Sequence, residues 1–342
     1  MVLSWTFLER LLHRLHLLPT PLLDSFGAVL YGRALAIGVR RGLFEAVTAT
    51  PKTADEIARA TNMSVKGVLL LADAFVAGGY LTRHGNTYAL RPEGSKWLVK
   101  SSPFYLGNLI RHFETLYDRW TYLEQTLDHG DPPRRYYESF TDDDWKVYVL
   151  AMRDLARLLV GSVRKRISFP STAKNILDLG GSHGLYAMDC CRRYPNLHAR
   201  IIDFPQALKH TADLVREEGM EGRVTLVPGD FMKMELLQGQ DGILLFNIIH
   251  GLTGEENAML ITRCLKALVP GGKLYILDQM KVEGGKSALA QFVPLMVGLN
   301  LLNEIGGNAY TIEQVKSWCK DATALKVYRL AMPGVSLIEV TK

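Results

Sequence analysis

The stretch Asn175-Ile-Leu-Asp-Leu-Gly-Gly-Ser-His-Gly-Leu-Tyr-Ala187 decides the fold of the C-terminal half of the chain. Residues 176–179 are mostly apolar and predict a short buried strand, which leads into a glycine-rich turn at 180–184 and then a helix. Glycine tolerates positive φ angles and lets a ligand approach the backbone closely. A turn that opens a helix also presents free backbone N–H groups to polar ligands. We therefore expect a nucleotide-like cofactor to bind at this turn.

The spacing of the glycines argues against the common phosphate-binding sites. An NAD-type fingerprint that began at Gly180 would need glycine at positions 182 and 185, where Ser182 and Leu185 stand. A phosphate loop would need Gly-Lys-Ser or Gly-Lys-Thr, but Leu185 and Tyr186 follow the last glycine of the turn. S-adenosylmethionine needs close backbone approach and carries no phosphate. The turn therefore favours S-adenosylmethionine as the cofactor.

From residue 173 onward, predicted strands alternate with predicted helices. Continuous apolar strands such as residues 242–246 indicate a parallel sheet that is covered on both faces. The last two strands, 326–330 and 335–340, are joined by a Pro-Gly turn and predict an antiparallel hairpin. The five parallel strands are expected at 175–179, 199–203, 223–227, 242–247 and 273–278, and the helices at 184–193, 205–218 and 254–268. We therefore predict an α/β fold with the Rossmann-like, seven-stranded sheet of methyltransferases.

Acidic residues follow the second and third predicted strands. Asp203 comes 23 residues after Gly180, close to the spacing at which an acidic side chain accepts hydrogen bonds from ribose hydroxyls. An alternative role for Asp203 is to cap the helix that follows Pro205. Asp230 is a candidate acceptor for the adenine amino group, with Phe231 along the ring face, although a plain turn aspartate is the simpler reading.

His250 is the candidate general base. It follows the fourth strand at the carboxyl edge of the predicted sheet, and Thr253 already supplies the cap of the next helix. A neutral imidazole near pH 7 can accept a proton from a phenol or another hydroxyl. Asp278, at the end of the fifth strand, is the carboxylate expected to orient the ring.

The first hundred residues predict a helical domain that ends in a β-hairpin at 79–90. The order of its elements is that of a winged helix, a module that often binds DNA. The helix in the recognition position, 65–77, offers Lys66 as its sole cation, so a packing role is favoured over nucleic-acid binding. The helix at 22–39 is rich in small residues and packs either in the core or against a second subunit.

Residues 101–170 predict aromatic-rich helices. Most of these aromatic side chains must form core, but Tyr148 and Met152 are candidates for the wall of an apolar ligand pocket. The predicted domains are 1–100 (helical, winged helix), 101–170 (linker and substrate pocket) and 171–342 (cofactor-binding and catalytic).

Composition narrows the class of protein. Apolar residues make up 48% of the chain, enough for full cores, and the net charge of +5 comes without a long basic run, so charge gives no case for nucleic acid. The four cysteines include no CxxC pair and no metal-ligand spacing, which fits free thiols in a reducing compartment. Charged residues interrupt the leucine-rich N-terminus, and no apolar run reaches the length of a membrane span. A cytoplasmic protein that spans no membrane is expected.

Five motifs, taken in order and spacing, resemble the winged-helix class I O-methyltransferases. This family includes plant caffeic acid and flavonoid O-methyltransferases, hydroxyindole O-methyltransferase and bacterial antibiotic-pathway enzymes. The motifs are Asp178-Leu-Gly-Gly-Ser-His-Gly184, Asp203-Phe-Pro205, Gly229-Asp-Phe231, Asn247-Ile-Ile-His250 and Pro270-Gly-Gly272.

The resemblance implies a homodimer formed through the N-terminal helices, with S-adenosylmethionine as methyl donor, an aromatic small molecule as acceptor and His250 as base. The acceptor pocket is expected between the aromatic helices and the helix at 288–302, with Met296 in its lining. The residues expected to bind the cofactor are Asp178, Gly180, Gly181, Ser182, Asp203, Phe204, Asp230, Phe231 and Asn247.

The chain departs from the plant enzymes of this family near His250. Phe246 and Gly251 replace the lysine before that histidine and the aspartate after it, and Ala309 replaces the second acidic residue that flanks the base. Glu304 lies close in sequence to Ala309 and is a candidate substitute. These departures favour the bacterial branch and leave open C-methylation or a member that has lost methyl transfer. A ligand-binding winged-helix regulator is the alternative from another class.

Overall fold

A computed structural model describes residues 7–15, 17–18, 20–281 and 288–342. The chain divides into two compact units, Met1–Tyr117 and Asp118–Lys342. The segment expected at 101–170 as a separate linker region is shared between them.

The first unit contains short helices and a small sheet. Its helices are α1 (Phe7–Arg14), α2 (Thr20–Leu22), α3 (Ala28–Arg40), α4 (Leu43–Ala46), α5 (Ala54–Thr61), α6 (Val65–Ala77), α7 (Pro92–Trp97) and α8 (Gly107–Glu114), and its strands are β1 (Lys52–Thr53), β2 (Leu81–His84) and β3 (Thr87–Leu90). Thr53 and Glu56 cap α5 reciprocally, because the Glu56 carboxylate accepts the Thr53 N–H while the Thr53 hydroxyl accepts the Glu56 N–H. The expected hairpin is confirmed as β2 paired antiparallel with β3.

The N-terminal helix predictions are confirmed only in part. The helical spacing of the apolar residues in 2–18 predicts a helix there, and the described portion holds α1, whereas residues 1–6, 16 and 19 lie outside the described residues. The helix expected at 22–39 is interrupted, since a π-helical turn spans Leu23–Gly27 before α3 begins.

The second unit is a doubly covered α/β sheet. The helix α9 (Leu116–Arg119) crosses into it from the first unit. Its other elements are α10 (Leu123–His129), α11 (Asp142–Arg164), β4 (Asn175–Leu179), α12 (Leu185–Arg193), β5 (His198–Asp203), α13 (Pro205–Glu217), β6 (Val224–Pro228), β7 (Gln240–Phe246), α14 (Gly254–Ala267), β8 (Leu268–Gln279), α15 (Ala288–Ile305), α16 (Ile312–Trp318), β9 (Ala324–Arg329) and β10 (Val335–Thr341).

The strand order is β6-β5-β4-β7-β8-β10-β9, with β10 antiparallel to both of its neighbours. The predicted five parallel strands and terminal hairpin are thus confirmed. One core packs the sheet against α11, α12 and α13, and a second packs the other face against α14 and α16. Because the parallel strands share one direction, their carboxyl ends meet at a single edge.

Among the residues that the structure describes, no single helix is long and apolar enough to cross a bilayer. One pair, α5 and α6, has the required length and composition only when joined across a bend of 108°.

Candidate active site

The glycine turn is fixed by close backbone contacts. Gly180 has a φ of +67°, and its N–H donates to the Ile202 carbonyl at 2.8 Å. A Cβ atom there would lie 2.2 Å from Cδ1 of Ile248, so the position requires glycine for conformation and for space. At Gly181 a Cβ would lie 2.5 Å from the carboxyl carbon of Asp178. The turn therefore wraps tightly over the Asp178 side chain.

Asp203, at the end of β5, fastens the same turn. Its Oδ2 accepts the Ser182 N–H at 2.9 Å, and its Oδ1 accepts the Phe204 N–H at 2.7 Å. Ser182 has a φ of +36°, an uncommon conformation for a residue other than glycine. Burial raises the pKa of Asp203 to about 6, although the two backbone hydrogen bonds act to lower it.

Asp178 is buried beneath the turn without a hydrogen-bond partner for Oδ2 among the described residues. Burial, and then the charge of Asp203, raise the pKa of Asp178 to about 7. The buried Asp178 thus has a partly buried carboxylate as its neighbour, and no cationic side chain in the described part of the chain is among the groups that lower the pKa of either. Such a pair is completed by a ligand that brings positive charge and hydrogen-bond donors.

The turn after β6 lies beside the glycine turn. The ring of Phe231 lies 3.6 Å from the position that a Cβ on Gly180 would take. The Asp230 carboxylate accepts the Met232 N–H at 2.9 Å and pairs with Lys233 at 3.2 Å. Asp230 therefore also shapes its own loop, which is the simpler role that the sequence left open.

His250 and Asp278 meet at the carboxyl edge of the sheet. His250 stands on a short 3-10 turn, Ile249–Gly251, just after β7, and Asn247 enters this turn with a φ of +54°. The imidazole Nδ1 lies 2.8 Å from Oδ1 of Asp278, which is fully buried at the end of β8. Because an ionised carboxylate only accepts, Nδ1 carries the proton and Nε2 keeps its lone pair.

The environment of His250 favours its protonated form. Burial lowers the pKa of His250, but the charge and hydrogen bond of Asp278, together with the charge of Glu304, outweigh burial and raise the pKa above its ordinary value. The His250 side chain remains 19% exposed, so a substrate can approach it.

Comparison with known proteins identifies the family. Residues 122–322 match the family described as the O-methyltransferase domain. The chain belongs to this family. It is 26% identical over 330 residues, 93% of each chain, to the 3-hydroxy-5-methyl-1-naphthoate 3-O-methyltransferase of Streptomyces sahachiroi. It is also 27% identical to the tetracenomycin polyketide synthesis 8-O-methyltransferase of Streptomyces glaucescens, over 91% of this chain and 93% of that one.

Its fold resembles the human N-acetylserotonin methyltransferase in complex with S-adenosylmethionine. The TM-score is 0.81 at 20% identity, and the alignment covers 100% of this chain and 99% of the other. With the family match and the relatives from Streptomyces, this shows that the protein is an S-adenosylmethionine-dependent O-methyltransferase, as the resemblance of its five motifs implied.

The donor-side residues of this O-methyltransferase fit its methyl donor. S-adenosylmethionine carries positive charge on its sulfonium and amino groups and donor hydroxyls on its ribose. Asp178 presents a buried carboxylate whose Oδ2 has no hydrogen-bond partner among the described residues, and Asp203 presents a partly buried carboxylate that accepts backbone N–H groups. The chemistry of the turn and that of the donor are complementary.

Aromatic side chains cluster between α11 and Phe204, and this cluster is called the aromatic wall below. The Tyr148 and Tyr136 hydroxyls share a hydrogen bond, and burial raises the pKa of Tyr148 to about 12. The charges of Asp203 and Glu304 both act to raise the pKa of Tyr148. Other rings continue this wall: Tyr137, Phe140, Trp145 and Phe204. Met152 on α11 and Met296 on α15 are both partly buried.

The sequence named Glu304 as a candidate acidic residue near His250 but did not predict the polar network that holds its carboxylate. Arg119 forms an ion pair with Glu304, although 185 positions separate them. Asn300 donates to Glu304 at 2.8 Å and accepts from the Trp120 indole at 2.8 Å. The one available signal was an arginine in an aromatic segment, which does not identify a partner. Ala309 contributes no carboxylate, as expected from the sequence.

Proposed function

We propose that this O-methyltransferase methylates a hydroxyl of an aromatic or polycyclic small molecule, with His250 as general base and Asp278 as the residue that orients it. The observation that carries the proposal is the 2.8 Å contact from Nδ1 of His250 to Asp278. It leaves Nε2 as the proton acceptor at the edge where the donor-side residues converge.

In the proposed reaction, His250 removes a proton and Asp278 stabilises the charge that this produces. Bound S-adenosylmethionine supplies a methyl group on a sulfonium, which is a good leaving group. His250 Nε2 removes the proton of the acceptor hydroxyl as its oxygen bonds to the methyl carbon and the carbon–sulfur bond breaks. Asp278 stabilises the resulting imidazolium, which later releases the proton to water.

We propose that the donor is held at four neighbouring strand ends, those of β4, β5, β6 and β7. Gly180, Gly181 and Ser182 give the backbone close approach, and Asp178 and Asp203 supply carboxylates. Asp230, Phe231 and Asn247 complete the set, with Phe204 at the side that faces the aromatic wall.

The aromatic wall supports an aromatic acceptor. The rings around Tyr148 and Phe204 offer stacking surfaces, with Met152 and Met296 as further candidates for the lining. The relatives from Streptomyces act, by their names, on a naphthoate and in tetracenomycin polyketide synthesis.

The test is a methyl-transfer screen across phenols, naphthols, quinones and hydroxyindoles, with mass detection and NMR of the product. With an acceptor in hand, His250→Ala should lower kcat by about a hundred- to ten-thousandfold while the donor Kd stays within about twofold, because only proton removal is lost. Wild-type turnover by His250→Ala would exclude it as the base, and a C-methylated product would exclude O-methylation.

We further propose a homodimer formed through the N-terminal helices. α3 and α6 expose Val29, Leu30 and Leu70, and a groove of about 600 Å³ with a largely apolar lining runs between these two helices. Leu70→Glu should convert a dimer of about 77 kDa, twice the chain mass of 38.3 kDa, into a monomer when measured by light scattering. A wild-type protein that is monomeric at micromolar concentration would contradict the proposal.

We also propose a cytoplasmic location, because the four cysteines are free and buried, as suits a reducing compartment. A fluorescent fusion found outside the cytoplasm would contradict it.

A further inference from the structure

The turn that carries His250 is held by a side chain that the mechanism does not use. Asn257 stands at the end of the first turn of α14 and is fully buried. Its Nδ2 donates to the Ile249 carbonyl at 2.9 Å and to the Leu252 carbonyl at 3.3 Å. A single amide therefore binds the backbone on both sides of His250.

The helix that carries Asn257 is fixed where it begins. The Glu256 carboxylate accepts the Thr253 N–H at 2.8 Å, and the Thr253 hydroxyl accepts the Glu256 N–H at 3.2 Å. Side chains of an α-helix lean back towards its N-terminus, so Asn257 projects over the residues that lead into the helix. The capped end of α14 is thus a rigid support for the amide.

The orientation of the amide is set by its partners. Both are carbonyl oxygens, which only accept, so the NH2 group of Asn257 faces them. Its Oδ1 points away and has no hydrogen-bond partner among the described residues. A buried acceptor without a partner is destabilising, and asparagine is a poor residue for a helix interior. Stability alone does not explain an asparagine here, whereas its hold on the turn does.

The pairing of His250 with Asp278 depends on where this turn places the backbone. Oδ1 of Asp278 lies 2.8 Å from the ring Nδ1, and Oδ2 accepts the backbone N–H of His250 at 3.4 Å. Because one carboxylate contacts both the backbone and the ring, a shift of the turn changes the position of the ring relative to Asp278.

Two further hydrogen bonds fix the same stretch of backbone. The Tyr310 hydroxyl donates to the Leu252 carbonyl at 2.6 Å, and the Asn308 N–H donates to the His250 carbonyl at 2.8 Å. The backbone around the base is therefore held from α14 and from the chain that follows α15.

We propose that Asn257 is a positioning residue for methyl transfer, whose amide holds the Ile249–Gly251 turn so that His250 stays paired with Asp278. The proposal rests on the proposed role of His250 as base. Asn257 is fully buried, so it acts through the turn and not on the acceptor itself. Loss of its hold should slow the chemical step and leave donor binding unchanged.

Gln240 provides a matched control on the strand that leads to His250. It stands at the amino end of β7, and His250 follows the carboxyl end. Gln240 is also buried, its Nε2 donates to the Gln238 carbonyl at 3.1 Å, and its Oε1 likewise has no partner among the described residues. Its replacement removes a similar amide at the opposite edge of the sheet.

Single-turnover methyl transfer to an acceptor found in the screen tests the proposal. Asn257→Leu keeps the approximate shape of the side chain but donates no hydrogen bond. It should lower the rate of the chemical step about ten- to a hundredfold, as when a catalytic group is displaced by about 1 Å, with the donor Kd within about twofold of wild type. Tyr310→Phe removes one contact of the same turn and should lower the rate about threefold. Gln240→Met should change it by less than about twofold.

A spectroscopic readout serves if Asn257→Leu is too unstable to assay. Asn257→Ser is smaller, introduces no clash and cannot reach both carbonyls. The proton on Nδ1 of His250, assigned by its absence from the NMR spectrum of His250→Gln, should move upfield and exchange faster with water in Asn257→Ser. Gln240→Met should leave this signal in place. An unchanged signal in Asn257→Ser would show that the amide does not position the ring.

A double variant shows whether Asn257 acts through His250. His250→Ala combined with Asn257→Leu should be no slower than His250→Ala alone, because the base that Asn257 positions is already absent. An additive loss would overturn the proposal, as would a wild-type rate in Asn257→Leu or an equal loss in Gln240→Met.

Failure of this proposal differs from failure of the proposed function. If His250→Ala is slowed as expected but Asn257→Leu keeps the wild-type rate, His250 remains the base and the role of Asn257 falls. If His250→Ala is fully active, the proposed base is wrong, and the role of Asn257 falls with it.

Discussion

The proposed donor-binding side of this O-methyltransferase, around Asp178 and Asp203, and the proposed base side, around His250, are built in different ways. On the donor side, Asp178, the glycine turn and Asp203 come from one strand-turn-helix-strand segment, and backbone groups make most of the contacts. On the base side, His250, Asp278, Glu304 and Arg119 come from four elements, and side chains make the contacts. The first arrangement is local in sequence, and the second exists only after folding.

The two sides also differ in whether the protein itself supplies partners for their carboxylates. Asp178 is buried next to the partly buried Asp203, and both have raised pKa values that a cationic ligand would lower. Asp278 faces His250 and Glu304 faces Arg119, so each carboxylate of the base side already has a partner in the protein. The donor side is completed by its ligand, whereas the base side is complete before the acceptor binds.

The largest effect that separates the two sides is expected from Asp278→Asn. An amide can offer its NH2 group to Nδ1, which moves the ring proton to Nε2 and removes the base. We expect kcat to fall on the order of a thousandfold, as when the tautomer of a catalytic histidine is wrong, with the donor Kd within about threefold of wild type. Calorimetry and product formation measure the two quantities. A donor Kd that weakened in step with kcat would mean that the two sides are not separable.

A second variant should weaken donor binding and not the function of the base. Gly180→Ala places a methyl group 2.2 Å from Ile248 in a left-handed backbone conformation, and should weaken donor binding more than tenfold. Gly219→Ala is the matched control, because Gly219 has a similar φ of +64° but no atom within 4 Å of its Cβ position. The control should cost only the backbone strain, about 1–2 kcal/mol of unfolding free energy, and leave the donor Kd unchanged. Equal Kd values for both variants would show that space at Gly180 is not needed.

This difference explains what could be predicted from the sequence. The donor side could be inferred because turn chemistry, strand length and the spacing to Asp203 are local properties. The pairing of His250 with Asp278 was also accessible, since both follow parallel strands whose carboxyl ends share an edge.

The rest depends on tertiary packing. Arg119 and Glu304 meet only because the segment around α9 packs on α15, and no periodicity encodes that contact. That Oδ2 of Asp178 has no hydrogen-bond partner among the described residues likewise follows from the folded structure and not from the sequence. The interruption of the helix at 22–39 by a π-helical turn has no sequence signal that we can identify.

The smallest of these effects concerns the pH dependence of donor binding. Below pH 6 both donor-side carboxylates hold protons, because their pKa values are about 7 for Asp178 and about 6 for Asp203. A cationic donor favours the ionised forms, so binding should release protons and tighten about tenfold between pH 6 and pH 8.

The stability of the free enzyme should change in the opposite direction. A carboxyl whose pKa is raised by folding contributes less to the free energy of unfolding as pH rises from its ordinary pKa near 4 towards 7. The increase in Tm on adding S-adenosylmethionine should therefore be larger at pH 8 than at pH 6. Asp178→Asn should flatten both trends, and a pH-independent Kd in the wild type would mean that Asp178 does not face the donor.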